Sequence, residues 1–121
     1  MGIKYFDDFE GTWIDGPKVY AGVFTQSGTD DPQFEILDNT LGEIVWQYDD
    51  VGVYYGYLDG AFPNHKTPTR VYTFGMQDDY YYYVQIERID DGTIKMTTKD
   101  YGFNKQNNLL SEAFIEFKVY P

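Results

Sequence analysis

An antiparallel all-β domain, built as a two-sheet sandwich or jelly roll of about eight strands, is the fold this sequence predicts. Three observations lead there. Aromatic residues make up 20% of the chain, with 13 Tyr and 9 Phe, and such side chains suit a pleated, half-buried surface better than a helix. Short runs of Tyr, Val, Ile, Phe and Trp alternate with polar residues at the period of a strand. Between the runs stand Asp-Asp doublets at Asp30-Asp31, Asp49-Asp50, Asp78-Asp79 and Asp90-Asp91, with Asp7-Asp8 in the leader. A carboxylate that bonds the backbone two residues on favours a turn over a strand. A closed, lipocalin-like barrel is the alternative architecture.

Taken in order, residues 1–18 mix Gly, Asp and aromatics without a period, and Pro17 closes them off. They read as an N-terminal arm ahead of a single β domain over residues 19–121, and the arm's Phe6, Phe9 and Trp13 need a surface to cover. Val19 to Gln26 sets Tyr20, Gly22 and Phe24 against Val19, Ala21 and Val23, and apolar residues on both faces predict a central strand. Ser27 to Pro32 is a turn cluster, followed by a strand over about Gln33 to Leu37 and a second turn at Asp38 to Gly42. Glu43 to Tyr48 puts Ile44, Trp46 and Tyr48 on one face, which is therefore the core face. Val53 to Leu58 is the next strand, in which Gly56 marks a bulge or a close backbone approach. Ala61 to Pro68 is a loop, because Pro63 and Pro68 cannot donate ladder hydrogen bonds.

Arg70 to Phe74 is a short strand, joined through Gly75 to Asp79 to a longer one over Tyr80 to Ile89. The run from Tyr80 to Tyr83 places two tyrosines on each face, so one pair is expected outside the core. Tyr81 and Tyr83 thus join Phe6, Phe9 and Trp13 as candidate interface residues. Asp90-Asp91-Gly92 predicts a hairpin into Thr93 to Thr98, with Gly92 supplying a positive φ. Lys99 to Ser111 is a long polar loop, and Glu112 to Tyr120 is the last strand.

At 121 residues the chain suits one domain, which buries roughly two-thirds of its unfolded surface without needing disulfides. A net charge of −11 opposes binding to nucleic acid phosphates or an anionic membrane, since both need a positive field. The start lacks the apolar segment of a secretion signal, and no stretch is long enough to span a bilayer. Catalytic equipment is sparse: there is no Cys and a single His. His65 lies in Pro63-Asn64-His65-Lys66 with no nucleophile near it in sequence, so a nucleophile triad is not expected and the chain reads as non-enzymatic. Carboxylate-rich turns suit calcium, yet no Asp-x-Asp-x-Asp loop with a downstream Glu is present, so neither a metal nor a cofactor is expected.

Five strings recur in an order that resembles a known family: VFTQSGTDDP from Val23, NTLGEIVW from Asn39, VGVY from Val51, GAFPNHKT from Gly60 and FIEFKVYP from Phe114. Over about residues 19–121 the chain is similar to an uncharacterised β domain of Bacteroidetes and of phage and prophage proteins, often found at the end of tail-fibre or other virion-structural chains. The resemblance brings no catalytic residues. It implies a scaffold whose Trp46, Tyr54, Phe62 and final strand fill the core. It further implies a virion structural component, such as a fibre, decoration or adaptor subunit, that contacts itself as a homo-oligomer and other virion proteins. A carbohydrate-binding sandwich, marked by coplanar exposed aromatics beside a groove, is one alternative. A lipocalin-like carrier, hinted at by Gly11-Thr12-Trp13, is the other.

Overall fold

A computed structural model describes the backbone of residues 4–7, 12–67, 71–77 and 80–121, and the side chains of residues 16–67 and 81–121. The strands are β1 (Lys4–Asp7), β2 (Thr12–Asp15), β3 (Lys18–Thr25), β4 (Gln33–Asn39), β5 (Val45–Asp50), β6 (Val53–Tyr57), β7 (Val71–Gln77), β8 (Tyr80–Asp90), β9 (Thr93–Asp100) and β10 (Ala113–Val119). Two antiparallel sheets form the layers of a sandwich, one of three strands in the order β10-β3-β4 and one of five in the order β5-β6-β9-β8-β7. Together they hold the eight strands that the alternating segments predict. Among the described residues β10 and β7 approach each other but no ladder joins the sheets. The sandwich is therefore open, and the closed-barrel alternative is set aside.

The two-residue period decides which side chains meet between the layers. In β10, Ala113, Ile115, Phe117 and Val119 are buried while Phe114, Glu116 and Lys118 are exposed. β3 is the middle strand of its sheet, as its apolar faces require, and contributes Tyr20 and Phe24 at 1% and 0% exposure. The facing sheet supplies Trp46, Tyr54, Val84, Ile86, Ile94 and Met96, all buried. Trp46 spans the interior: its ring meets Phe24 edge-on at 5.2 Å and its indole N–H donates to the Tyr20 hydroxyl at 3.0 Å. Phe62, in the loop after β6, is also fully buried and closes one end of this cluster.

Two glycines make the aromatic packing possible. A Cβ on Gly22 would sit 2.0 Å from the Phe34 ring and 2.4 Å from the Glu35 carbonyl oxygen. Its absence, at a register shift between Ala21 and Gly22, lets Phe34 lie across the strand and stack on Tyr20 at 4.4 Å. Gly56 is a close approach as expected, since a Cβ there would meet Ile44 at 2.8 Å and Trp46 at 3.0 Å.

Several expectations need correction. The arm is not aperiodic throughout: β1 and β2 pair as a hairpin in which Phe6 stands opposite Trp13. Alternation over only four residues per strand is too short to stand out against the surrounding Gly and Asp. Gly75 to Gln77 continue β7 and pair with Tyr80 to Tyr82 instead of leaving the sheet. β9 likewise runs on to Asp100 because its partner β8 is eleven residues long. The β8–β9 hairpin forms where predicted, but Gly92 is not among the positive-φ residues. The Asp90 carboxylate holds the turn by accepting the Gly92 N–H at 2.9 Å, the local Asp chemistry expected of a corner doublet. Asp49 and Asp50, by contrast, lie within β5 ahead of the turn, and Asp78 and Asp79 lie outside the described residues.

Candidate interaction surface

Alternation along β8 splits its tyrosines between the layers. Tyr82 points into the core at 6% exposure, whereas Tyr81 is 45% exposed and Tyr83 half-buried on the opposite, outer face. β9 runs antiparallel beside it, pairing Lys99 with Tyr83 and Asp100 with Tyr82. The chain beyond Asp100 therefore turns over this corner of the sheet. Tyr101 meets Tyr81 at 6.2 Å between ring centroids, and Phe103 stacks on Tyr83 at 4.8 Å and 14°. The outer rings, Tyr101 and Phe103, are 69% and 64% exposed. Four rings in two pairs thus stand on one surface.

Asp100 builds the loop that carries two of them. Its Oδ1 accepts the N–H groups of Gly102 at 2.9 Å and Asn104 at 3.0 Å, and its Oδ2 accepts Gln106 Nε2 at 3.1 Å. Its backbone closes the same turn, accepting from Phe103 N and donating to Asn104 O. The Asn104 N–H first, then the Gln106 amide and Gly102 N–H, hold the Asp100 carboxyl below its ordinary value of 3.8. Within this frame Phe103 sits at φ 64°, a left-handed conformation that costs an L-residue on the order of 1–2 kcal/mol. Strain held by a local hydrogen-bond network at an exposed ring is a feature of binding sites more than of scaffolds.

The rest of the segment is a strap, not a free loop. Asn107 Oδ1 accepts the Gly52 N–H at 2.8 Å while its Nδ2 donates to the Tyr48 hydroxyl at 3.1 Å. The buried Gln26 takes the Asn108 N–H and the Tyr54 hydroxyl on its Oε1, at 3.0 and 2.7 Å, and donates through Nε2 to Gly28 O and Asp30 O. A run that looks merely polar is therefore bonded into three strand ends.

Of the sequence candidates, the structure brings together Tyr81 and Tyr83 and adds Tyr101 and Phe103. The side chains of Phe6, Phe9 and Trp13 lie outside the described residues. Tyr101 and Phe103 were missed because their segment reads as loop by composition. The signal that finds them is Asp100-x-Gly102-x-Asn104, a carboxylate two and four residues ahead of the amides it captures. His65 is an exposed loop residue at φ 66° whose backbone N–H bonds the Asn64 side chain at 3.1 Å. Among the described residues no group of three or more His, Asp or Glu is placed to hold a metal ion.

A second feature lies at the other end of the same face. Tyr55 and Tyr57 stack at 6.3 Å and 26°, and Tyr57 borders an open groove of about 870 Å³ together with Glu43, Asp59, Asp90 and Asp91. Arg88 in its wall donates through Nε to Phe62 O at 2.7 Å and pairs through Nη2 with Asp91, one of the groove's own carboxylates.

Comparison of the chain with protein-family models, with curated proteins and with solved structures gives no match in any of the three.

Proposed function

We propose that this chain is a non-enzymatic structural subunit of a phage or prophage virion, a fibre, decoration or adaptor component that acts through protein contacts and associates with itself. The observation that carries this reading is the four-ring surface of Tyr81, Tyr83, Tyr101 and Phe103, whose two outer rings are carried on a loop with Phe103 at a left-handed φ. Large, stiff aromatic side chains are enriched at protein interfaces and lose little conformational freedom on docking. The resemblance of its ordered strings to virion-end β domains supports the assignment to a virion. The open sandwich offers no enclosed barrel interior among the described residues, so the carrier reading has no support from the fold.

Sedimentation of the full-length protein across the micromolar range tests the proposal. Concentration-dependent assembly is expected, and a monomer at every concentration contradicts self-association.

The Tyr55–Tyr57 pair beside a carboxylate-lined groove favours a second reading, a surface-glycan contact in which a sugar face stacks on Tyr57 while the carboxylates accept its hydroxyls. A glycan array probed with wild type and Tyr57→Ala decides it. Saturable binding lost in the variant supports this reading, and an array without binding removes it.

A further inference from the structure

We infer that the pocket between Lys18 and Lys66 receives the acidic, aromatic segment of residues 6–10 from a second copy of the chain. The inference rests on the self-associating reading above and names one of its contacts. The pocket has a volume of about 610 Å³, within the range of about 300–1,000 Å³ that accommodates specific ligands. Leu41, Leu58, Ala61 and Val119 give it an apolar wall, and Lys18 and Lys66 line it together with one acidic side chain, Asp59.

This local charge is unusual. The chain carries 20 Asp and Glu against nine Lys and Arg, yet two of those cations flank one pocket. Neither has an ion-pair partner among the described residues. The segment is also fixed in place, because the Lys66 carbonyl accepts the Tyr120 N–H at 2.8 Å at the end of β10. An occupant should therefore combine apolar rings with negative charge.

The chain itself supplies such a segment. Phe6-Asp7-Asp8-Phe9-Glu10 interleaves two rings with three carboxylates, matching apolar wall to ring and ammonium to carboxylate. Geometry directs it to a neighbour. Gly16 lines the pocket, and β2 leads away from Gly16 to Thr12, which pairs with Asp7 at the far end of the hairpin. Four residues of strand span about 13 Å at about 3.3 Å per residue, so Asp7, paired with Thr12, stands about that far along the strand from Gly16. The contact joins two different surfaces, which closes into a ring when the rotation between copies allows.

The test uses the full chain in two measurements. In sedimentation, Lys18→Glu with Lys66→Glu should weaken assembly by at least about tenfold, and adding Asp8→Lys with Glu10→Lys should restore it. In carbodiimide cross-linking of an equal mixture of 14N- and 15N-labelled wild type, amide links from Lys18 or Lys66 to Asp7, Asp8 or Glu10 should appear as mixed-isotope pairs. Same-isotope links alone show the segment in its own pocket and overturn the inference, as do links that leave these residues out. A wild type that assembles but ignores the lysine reversal refutes this contact and leaves self-association standing. A wild type that never assembles refutes both.

Discussion

Tyr20 and Tyr54 lie at 1% and 0% exposure with their hydroxyls bonded, one accepting from Trp46 Nε1 at 3.0 Å and the other donating to Gln26 Oε1 at 2.7 Å. Tyr101 and Phe103 stand 69% and 64% exposed on a turn organised by a carboxylate. Both regions are aromatic clusters, yet they are built on opposite principles. Inside, each ring is wrapped by both sheets and its polar atom is paired, so removing it costs stability. Outside, order comes from backbone hydrogen bonds to Asp100 and the rings contribute little burial. The difference separates residues that make the fold from residues that the fold presents.

The sharpest way to break the inner region is Trp46→Ala. Trp46 touches Phe24 and Tyr20 and sits over Gly56, so its loss should cost about 3–5 kcal/mol through transfer and cavity terms, read by chemical denaturation. A loss below about 1 kcal/mol would place the indole outside the core.

Tyr20→Phe is the next step down. It keeps the ring and strands the buried indole N–H, with an expected cost of about 1–3 kcal/mol. The same site predicts an alkaline limit. Burial, opposed by the Trp46 hydrogen bond and aided by Glu43, pushes the Tyr20 hydroxyl from 10.0 up to about 12. Because the folded value is the higher one, the stabilising contribution is whole below pH 10 and is lost as pH rises through the folded value of about 12. Denaturation curves collected at rising pH should show that decline, and it should be smaller in Tyr20→Phe, with the remainder carried by Tyr54 and Tyr82, whose hydroxyls burial also pushes up.

Asp100→Ala should act on the outer region alone. Global stability is expected to change little, while the Gly102 and Asn104 amides lose protection from hydrogen exchange. Acid should do the same to wild type. The folded Asp100 carboxyl lies below 3.8, so its contribution is present above that pH and disappears as pH falls through the folded value. Loop amides that exchange identically in wild type and variant would show that Asp100 does not hold the turn.

The strand segments were legible because period-two alternation over five or more residues is hard to mistake: Ile44 and Trp46 are buried against exposed Val45 and Gln47, and β3 is central. The hairpin turn at Asp90 was legible too, although its mechanism is a carboxylate cap and not a positive-φ glycine. The outer site was half legible. Tyr81 and Tyr83 follow from alternation, but Tyr101 and Phe103 reach them only through the β8–β9 register and the Asp100 turn. Those are a long-range pairing and a side-chain bond, and neither leaves a periodic mark. The strap contacts of Asn107 and Asn108 span 55 and 82 residues, and polar composition gives no hint of them.

The separation of roles between the two aromatic regions is tested most directly by Tyr101→Ser with Phe103→Ser, measured in parallel for thermal midpoint and for sedimentation of the full-length protein. The account predicts a midpoint within about 2 °C of wild type, since about 0.5 kcal/mol corresponds to a shift of roughly that size, together with loss of assembly. A midpoint lowered by about 8 °C or more with assembly intact would show that these rings are scaffold and would contradict the central claim.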